Sequence, residues 1–342
     1  MTAIPEDIQK AAAILLSGGL VAFPTETVYG LGADAENPAA VAQIYAVKGR
    51  PSNHPVIVHL APEADLNYWA ESIPEEARKL IAAFWPGPLT LILKRAAHIP
   101  DCVSGGQDTI GLRCPSHPVA QALLRAFKGG QGGIAAPSAN KFGHVSPTTT
   151  RHVQDEFGVG SKSEVQCILD GGQSEVGIES TIVDLSRIAT HGPVLLRPGH
   201  ISAHDIAGVI GTAPKIPDAA APRVSGSLDS HYAPNTPVAL IETDELPLIL
   251  QRLATGGQKV AVIHRLTQQL PDTIAQLFLP ETADGYAHDL YAALRLMDRA
   301  GADVILVEAP PRDSQWQGVN DRLDRAGHDS VGIIERLLPL EW

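Results

Sequence analysis

Several short polar segments of this 342-residue chain directly follow apolar runs that are typical of β-strands. The first is PTETVYGLG, residues 24–32, which places hydroxyls, a carboxylate and two glycines after the apolar run 20–23. Pro24 cannot donate a hydrogen bond to a sheet, so we expect the strand to end there and a loop to begin. An ordinary turn is the alternative, but similar segments recur along the chain and favour a small-molecule site.

Four basic side chains lie next to such strand ends or turns. Lys48 and Arg50 are two residues apart on a Gly/Pro turn, where they can converge on one anion; the alternative is positive charge that complements a helix dipole. Arg113 and Arg197 each follow an apolar run, at the edge where open α/β sheets hold their ligands. For either arginine alone a surface ion pair is slightly favoured, whereas two such strand ends together favour a binding site.

Hydroxyl and amide groups repeat the pattern after the predicted strand 134–136. Ser138 and Asn140 can hydrogen-bond phosphate or ribose, and the N–H groups of the loop can bind an anion. The alternative is a turn in which these side chains satisfy their own backbone. His59 lies inside the apolar run 56–60, where a core histidine is the default interpretation and a ligand contact the less favoured one.

Other kinds of chemistry find little support. No HxH, HExxH or GxSxG spacing occurs, which argues against a metal site built by the protein and against an activated serine. Cys102, Cys114 and Cys167 form no CxxC pair, so neither a disulfide framework nor a zinc knuckle is suggested. The net charge is −12, with no basic tail, so we expect no stable direct binding of long nucleic acids.

The first residues of the chain and its hydropathy indicate where in the cell the protein is expected. Glu6 and Asp7 precede a short predicted helix, unlike a signal peptide, and no apolar run approaches the roughly 18 residues of a membrane span. We therefore expect a cytoplasmic protein that does not interact with membranes.

The apolar periodicity predicts a mixed α/β sheet in the first part of the chain. Helices are predicted at 8–16, 74–84 and 117–127, and Asn37 and Pro38 have the order that caps a further helix through Val47. Strands are predicted at 20–23, 56–60, 89–93, 109–112, 134–136, 165–169, 181–185 and 194–196. Because several strands follow one another without a helix between them, the sheet is expected to contain both parallel and antiparallel pairs.

A change of pattern predicts a second domain. Residues 213–236 are rich in Pro, Ala, Ser and Gly and are interpreted as a linker. Beyond them, strands at 238–241, 260–264 and 304–307 alternate with helical segments, as in a small parallel domain. The predicted organisation is a catalytic domain at 1–212, a linker or lid at 213–236 and a small α/β domain at 237–342. The second domain carries no GxGxxG and no Walker A sequence.

Seven motifs, in order and spacing, resemble the threonylcarbamoyl-AMP synthase family with its YrdC-like catalytic fold. The motifs are PTETVYGLG at 24–32, KGRPSNHP at 48–55, FWPGPLT at 84–90, GLRCP at 111–115, APSAN at 136–140, ESTIVD at 179–184 and LRPG at 196–199. The segment HYAP at 231–234 and the small domain after it resemble the long members of that family. The resemblance implies a YrdC-like twisted mixed parallel/antiparallel sheet with helices and a smaller Rossmann-like parallel α/β C-terminal domain.

The resemblance also implies an activity. The family condenses L-threonine, bicarbonate and ATP into threonylcarbamoyl-AMP and pyrophosphate, the first step toward threonylcarbamoyladenosine at position 37 of tRNA. It implies Mg²⁺ carried in with ATP, no metal ligands from the protein, and partner enzymes that transfer the threonylcarbamoyl group to tRNA. The linker is hypothesised to fold over the mouth of the site and shield the labile carbamate from water.

Site residues follow from the resemblance, position by position. The implied threonine contacts are Thr27, His59, Arg113, the Ala136 backbone and Ser180. The implied ATP contacts are Arg50, His54, Thr109, Ser138, Asn140, Ser146, Arg197 and Tyr232. The residues implied to act catalytically on the phosphates are Lys48 and Arg50. The family usually has Asn where this chain has His54, and the linker sequence SGSLDS at 225–230 is less basic than in other members.

Two alternative functions remain open from sequence. One is an RNA-binding regulator of translation, which the acidic balance of the chain disfavours. The other is a carbamoyl transferase of the hydrogenase-maturation type, which shares the domain but adds cysteine-rich zinc modules that this sequence lacks.

Overall fold

A computed structural model of the protein describes residues 4–158, 160, 163–226, 231–265, 270 and 273–338. The chain divides into two compact units, the first comprising Met1–Phe142 with Ser146–Ser227 and the second Gly143–Val145 with Leu228–Trp342. The second unit is therefore discontinuous in sequence. The domain boundaries given above stay a prediction.

The described part of the first unit forms a nine-stranded sheet flanked by helices. The strands are β1 (Val21–Phe23), β2 (Gly30–Asp34), β3 (Ile57–Leu60), β4 (Leu89–Lys94), β5 (Thr109–Arg113), β6 (Gly133–Ala135), β7 (Cys167–Ile168), β8 (Thr181–Asp184) and β9 (Val194–Arg197). The helices are α1 (Pro5–Leu16), α2 (Pro38–Lys48), α3 (Leu66–Trp69), α4 (Glu75–Phe84), α5 (Pro118–Ala126), α6 (Thr150–Phe157), α7 (Ile188–His191) and α8 (Ala203–Ile210).

The sheet mixes parallel and antiparallel neighbours, as predicted. Its strand order is β7-β1-β2-β6-β3-β5-β4-β8-β9. The pairs β1·β7, β3·β5 and β4·β8 are parallel. The pairs β1·β2, β2·β6, β3·β6, β4·β5 and β8·β9 are antiparallel. The predicted fold class of this part is thus confirmed.

Alternate residues of the strands pack into different apolar clusters, so the sheet is buried on both faces. Val21 and Phe23 join a cluster with apolar residues of α1 and α5, whereas Ala22 between them joins a second cluster with residues of α2 and α4. The helices therefore cover both faces of the sheet, and the ends of the strands are left for the polar loops.

The cap predicted for α2 is confirmed. Asn37 Oδ1 accepts the N–H groups of Ala39 at 3.1 Å and Ala40 at 3.2 Å, and Pro38 is the first helical residue. At the other end Gly49 closes the helix with φ 64°, a left-handed conformation that glycine adopts without strain. These two signals fix the position of Lys48 in the last turn.

The glycines of PTETVYGLG were wrongly interpreted as loop residues. The loop covers only residues 24–29, and Gly30 and Gly32 lie within β2. A Cβ on Gly32 would come within 2.8 Å of Ile134 Cγ2 and 2.9 Å of Phe23 Cε1, so glycine serves close packing there. Helix α6 was also missed, because it buries only Val153 and shows little apolar periodicity.

The described part of the second unit contains a four-stranded parallel sheet in the order β10-β13-β11-β12. Its elements are β10 (Val238–Ile241), α9 (Leu246–Thr255), β11 (Val260–His264), β12 (Ala275–Phe278), α10 (Ala283–Asp298), β13 (Val304–Glu308), α11 (Gln317–Gly327) and α12 (Ile333–Leu337). The predicted small parallel α/β fold is confirmed. Sequence reasoning missed the edge strand β12, which has alternate exposure along only four residues.

Much of the predicted linker packs against the first unit. The N–H of Lys215 donates to the Pro193 carbonyl at 2.8 Å, and the N–H of Leu195 donates to the Lys215 carbonyl at 2.9 Å. The backbone at Lys215 therefore pairs with β9 at the edge of the sheet. Val224 is 5% exposed and packs with Ile92 and Ile182. Residues 227–230 of the predicted linker lie outside the described residues.

In the described part of the chain, no helix combines the length and the apolar character that crossing a bilayer requires.

Candidate active site

The loop after β1 is a compact turn held by Thr25. Thr25 Oγ1 accepts the N–H groups of Thr27 and Val28, both at 3.2 Å, and lies 2.8 Å from Thr27 Oγ1. The N–H of Tyr29 donates to the Pro147 carbonyl at 2.9 Å, which ties the loop to the segment after Ser146. The fully buried Thr27 is thereby fixed in place.

Glu26 of the same loop forms a buried ion pair with Arg113. Arg113 Nη2 lies 2.8 Å from Glu26 Oε1, and the two side chains are only 4% and 3% exposed. Arg113 Nε donates to the Gly87 carbonyl at 3.3 Å, and Glu26 Oε2 accepts the N–H of Ser116 at 3.1 Å. The expectation that Arg113 alone would form a surface ion pair is therefore wrong.

His59 lies beside Arg113, because β3 and β5 are parallel and pair these two residues. The imidazole is 3% exposed and packs edge-on against Phe23, with ring centroids 5.9 Å apart. Burial, followed by the charge of Arg113, lowers the pKa of His59 to about 3. His59 is therefore a neutral imidazole at physiological pH.

The low pKa of His59 predicts a pH-dependent stability. The unfolded chain binds a proton at His59 below about pH 6.5 and the folded chain only below about pH 3, so folding is disfavoured progressively as the pH falls between these values. The wild type should lose stability to acid more steeply than His59→Gln, by up to about 1.4 kcal/mol per pH unit. Urea unfolding of both proteins between pH 4 and 7 measures the difference. If the free energies of unfolding of the two proteins changed equally with pH, this would contradict the burial of a neutral His59.

Ala136 offers only part of its backbone to a ligand. Its N–H donates to the Ile57 carbonyl at 2.9 Å. The implied threonine contact of the Ala136 backbone would therefore have to use the carbonyl oxygen. The residues after Ala136 form the loop that carries Ser138 and Asn140. This loop is joined to β2 by a hydrogen bond in which the N–H of Leu31 donates to the Pro137 carbonyl at 2.8 Å.

Lys48 reaches this loop from the end of α2. Its Nζ donates to the Ser138 carbonyl at 2.5 Å and also to the Asn140 carbonyl. The side chain is 2% exposed, and burial together with the nearby Arg50 lowers the pKa of Lys48 well below its usual range. Lys48 ends α2, as both interpretations given above require, and its burial favours the anion site, which stays a prediction.

Arg50 and Arg197 are brought together by the described end of the predicted linker. Arg50 Nη2 donates to the Ser225 hydroxyl at 3.4 Å and to the Pro55 carbonyl at 2.9 Å. Arg197 Nη1 donates to the Ser225 carbonyl at 2.9 Å. Both guanidinium groups are buried, at 6% and 3% exposure, so for Arg197 too the expectation of a surface ion pair is wrong.

Arg197 also fixes Ser180 at the entrance to β8. Its Nη2 donates to the Ser180 carbonyl at 2.9 Å and to the Ser180 hydroxyl at 3.1 Å. Thr90 Oγ1 lies 2.8 Å from the same hydroxyl. Thr109, at the start of β5, lines a small hollow of about 10 Å³ with Val224 and Ser225.

Two further predicted residues lie near these groups. Ser146 is fully buried, and its hydroxyl donates to Glu179 Oε1 at 2.5 Å. The His54 ring packs edge-on against Phe142, with centroids 5.5 Å apart, and the pKa of His54 is lowered by burial and by the charge of Arg50. The first unit thus carries every predicted site residue except Tyr232.

Tyr232 belongs to the second unit and is held there. It is 1% exposed, and its ring lies 5.7 Å from the Tyr291 ring and 5.4 Å from the Arg322 guanidinium carbon. Its φ of 61° is a left-handed conformation that a bulky side chain adopts only under strain. The surroundings of Tyr232 therefore impose its backbone conformation.

Sequence reasoning missed functional roles for Glu26, Glu179, Thr90 and Ser225. Each contacts a predicted site residue, namely Arg113, Ser146, Ser180 and Arg197 respectively. A carboxylate directly after the apolar run 20–23 was a visible signal for Glu26, because an ionised side chain is buried only with a partner. Ser225 gave no such signal.

The described residues contain no group of three or more His, Cys, Asp or Glu side chains that could hold a metal ion. They do gather buried cations and hydroxyls, the donor types that bind phosphate and carboxylate oxygens.

Comparisons with known proteins identify the family of the chain. A family model described as "Telomere recombination", of the Sua5, YciO and YrdC proteins, matches residues 13–199. A second, described as "Threonylcarbamoyl-AMP synthase, C-terminal domain", matches residues 201–327. The chain is 38% identical to the threonylcarbamoyl-AMP synthase of Pyrococcus abyssi, over 93% of this chain and 93% of that one. It is also 38% identical to the Bacillus subtilis protein of that name, over 95% and 94%.

A solved structure supports the same conclusion. The chain is similar to the crystal structure of P. abyssi Sua5 complexed with L-threonine, with a TM-score of 0.86, 38% identity and coverage of 95% of both chains. Two family models in tandem, relatives of matching length and a shared fold agree with one another. The chain therefore belongs to the threonylcarbamoyl-AMP synthase family.

Proposed function

We propose that the protein is an L-threonylcarbamoyladenylate synthase that condenses L-threonine, bicarbonate and ATP to threonylcarbamoyl-AMP and pyrophosphate. The observation that carries the proposal is the burial of four cationic side chains among hydroxyls in the first unit, namely Lys48, Arg50, Arg113 and Arg197. Burying so many cations is costly unless they bind anions.

Arg113 and His59 form the amino-acid half of the site. Arginine has five N–H donors, so the pair with Glu26 leaves donors for the carboxylate of threonine. The neutral His59 imidazole adds no positive charge beside the threonine ammonium group. Thr27 and Ser180 supply hydroxyls, and the Ala136 carbonyl supplies an acceptor.

Lys48, Arg50 and Arg197 form the nucleotide half. They stabilise the negative charge that builds up on the phosphates as the reaction proceeds. Ser138, Asn140 and Ser146 place hydroxyl and amide groups on loops around these cations. Thr109 and His54 complete the proposed ATP contacts of the first unit, and Tyr232 is the proposed contact from the second.

The chemistry needs no covalent enzyme intermediate. The amine of threonine adds to CO₂ with loss of a proton, or condenses with bicarbonate with loss of water, to form a carbamate. A carbamate oxygen then attacks the α-phosphorus of ATP, and pyrophosphate leaves as the bond between the α-phosphorus and the bridging oxygen breaks. The protein aligns the reactants and balances charge in a site from which water is excluded. Mg²⁺ enters bound to the phosphates of ATP, where it neutralises part of their charge.

The product implies partners and a location. Threonylcarbamoyl-AMP is a labile mixed anhydride, so we infer that a threonylcarbamoyl transferase acting on tRNA consumes it promptly. The chain needs no nucleic-acid contact of its own for this step. We infer a cytoplasmic location, because a labile intermediate has to be made in the compartment where the tRNA is modified.

Pyrophosphate release tests the proposed function. The full chain is incubated with ATP, Mg²⁺, threonine and bicarbonate, and each of the last two is left out in turn. Release should require both, and Arg50→Ala should reduce it by about 10²-fold or more, as for the loss of a phosphate-stabilising donor. Release that does not depend on threonine or on bicarbonate would reject the assignment. Turnover of carbamoyl phosphate in their place would favour the carbamoyl transferase.

A further inference from the structure

The segment Gly143–Val145 belongs to the second unit, although Phe142 before it and Ser146 after it belong to the first. In sequence it lies between Asn140 and Ser146, two of the proposed ATP contacts. Its position therefore depends on residues of the second unit, while its covalent neighbours carry the proposed chemistry.

Two second-unit residues hold this segment by its backbone. The N–H of Ala233 donates to the Gly143 carbonyl at 3.0 Å, and His144 pairs with Ala233 in a parallel bridge. Arg295 Nη2 donates to the Val145 carbonyl. Arg295 is 9% exposed and Val145 3%, so water competes little for this hydrogen bond.

Arg295 is carried by a well-anchored helix. Helix α10 begins at a cap in which Thr282 Oγ1 accepts the N–H of Gly285 at 3.3 Å. Leu290, Tyr291 and Leu294, which precede Arg295 on the helix, are buried. A charged donor on such a rigid element forms a stronger and better directed hydrogen bond than a neutral one.

The bond to Val145 also orients Ser146, because a peptide group is planar and trans. When the direction of the Val145 carbonyl is fixed, the N–H of Ser146 points in the opposite direction. The orientation of the Ser146 backbone, from which its side chain extends, is then fixed as well. The Ser146 hydroxyl is held independently by Glu179. Ser146 is thus fixed through its backbone on one side and its side chain on the other.

We propose that Arg295 is a positioning residue of the synthase, which acts through the Val145 carbonyl to orient Ser146 toward ATP. This inference rests on the proposed function, since it assumes that Ser146 contacts the nucleotide. It gives the second unit a role in nucleotide binding in addition to the proposed contact of Tyr232.

Steady-state kinetics of Arg295→Met in the full chain tests the proposal. Pyrophosphate release should show a KM for ATP raised about tenfold, which corresponds to the loss of one hydrogen bond of about 1.4 kcal/mol. The KM for threonine should stay within twofold, because the threonine contacts lie elsewhere. Arg295→Lys, which keeps a charged donor, should recover part of the affinity for ATP.

Arg312→Met is the matched control. Arg312 belongs to the same unit, is 61% exposed and pairs with Asp324, so its replacement should change neither KM. If Arg295→Met does not fold, Arg295→Ala, which also lacks a donor, replaces it. A folded Met or Ala variant with a wild-type KM for ATP would overturn the proposal, as would equal increases in both KM values. Absence of threonine-dependent release from the wild type would instead reject the proposed function.

Discussion

Replacing Glu26 with alanine should lower the free energy of unfolding of the first unit by about 3–5 kcal/mol, because it leaves the buried Arg113 guanidinium without its counter-ion. The effect is large because both side chains are almost inaccessible to water, at 4% and 3% exposure. Activity should fall as well, with a raised KM for threonine, since Arg113 loses the contact that orients it. Urea unfolding followed by hydrogen exchange of the β5 amides reports on this unit alone.

A second ion pair of the same unit provides the control. Arg125 Nε lies 2.9 Å from Glu63 Oε1, but these side chains are 49% and 47% exposed. Glu63→Ala should therefore lower the free energy of unfolding by less than about 1 kcal/mol. The double variant Glu26→Gln with Arg113→Met removes both buried charges and should be more stable than Arg113→Met alone. If Glu26→Ala and Glu63→Ala lowered the free energy of unfolding equally, this would contradict the interpretation of Glu26 and Arg113 as a buried pair.

Lys48→Met should reduce kcat/KM for ATP by about 10²–10³-fold, the range for removing one preorganised donor from a charge-stabilising site. Two causes act together. The variant loses a cation that faces the phosphates in the proposed complex, and it releases the carbonyls of Ser138 and Asn140, which fix the loop. The measurement is pyrophosphate release at varied ATP, with threonine and bicarbonate saturating.

Lys79→Met controls for a general effect of lost charge. Lys79 is 50% exposed and pairs with Glu75 on its own helix, so its replacement should leave the kinetics unchanged. A Lys48→Met enzyme within threefold of the wild type would show that the lysine serves the fold and not the reaction.

The sequence singled out several residues of the candidate site, for a physical reason. Polar residues that directly follow an apolar run and lie next to a turn mark the end of a strand, where open α/β sheets hold their ligands. Ser138, Arg113 and Arg197 were found in this way. The succession of strands without helices between them likewise predicted a mixed sheet, and Asn37 with Pro38 predicted the start of α2.

What escaped prediction depended on contacts that are distant in sequence. The sequence alone places Gly32 in a turn, and only the packing of Phe23 and Ile134 against it shows why a glycine lies within a strand. Ser225 lies in a stretch without periodicity, and nothing local indicates that it joins Arg50 to Arg197. The attachment of residues 143–145 to the second unit leaves no sequence pattern, because it is made through backbone carbonyls that every residue carries.

The discontinuity of the second unit bears on how the protein can be divided or recombined. A fragment that ends before residue 213 keeps Gly143–Val145 but lacks Ala233 and Arg295, so two carbonyls lose their donors. A fragment that starts at residue 228 has the donors without the acceptors. Exchange of residues 228–342 between relatives therefore preserves these hydrogen bonds only if the recipient's own residues 143–145 present their carbonyls to the new donors.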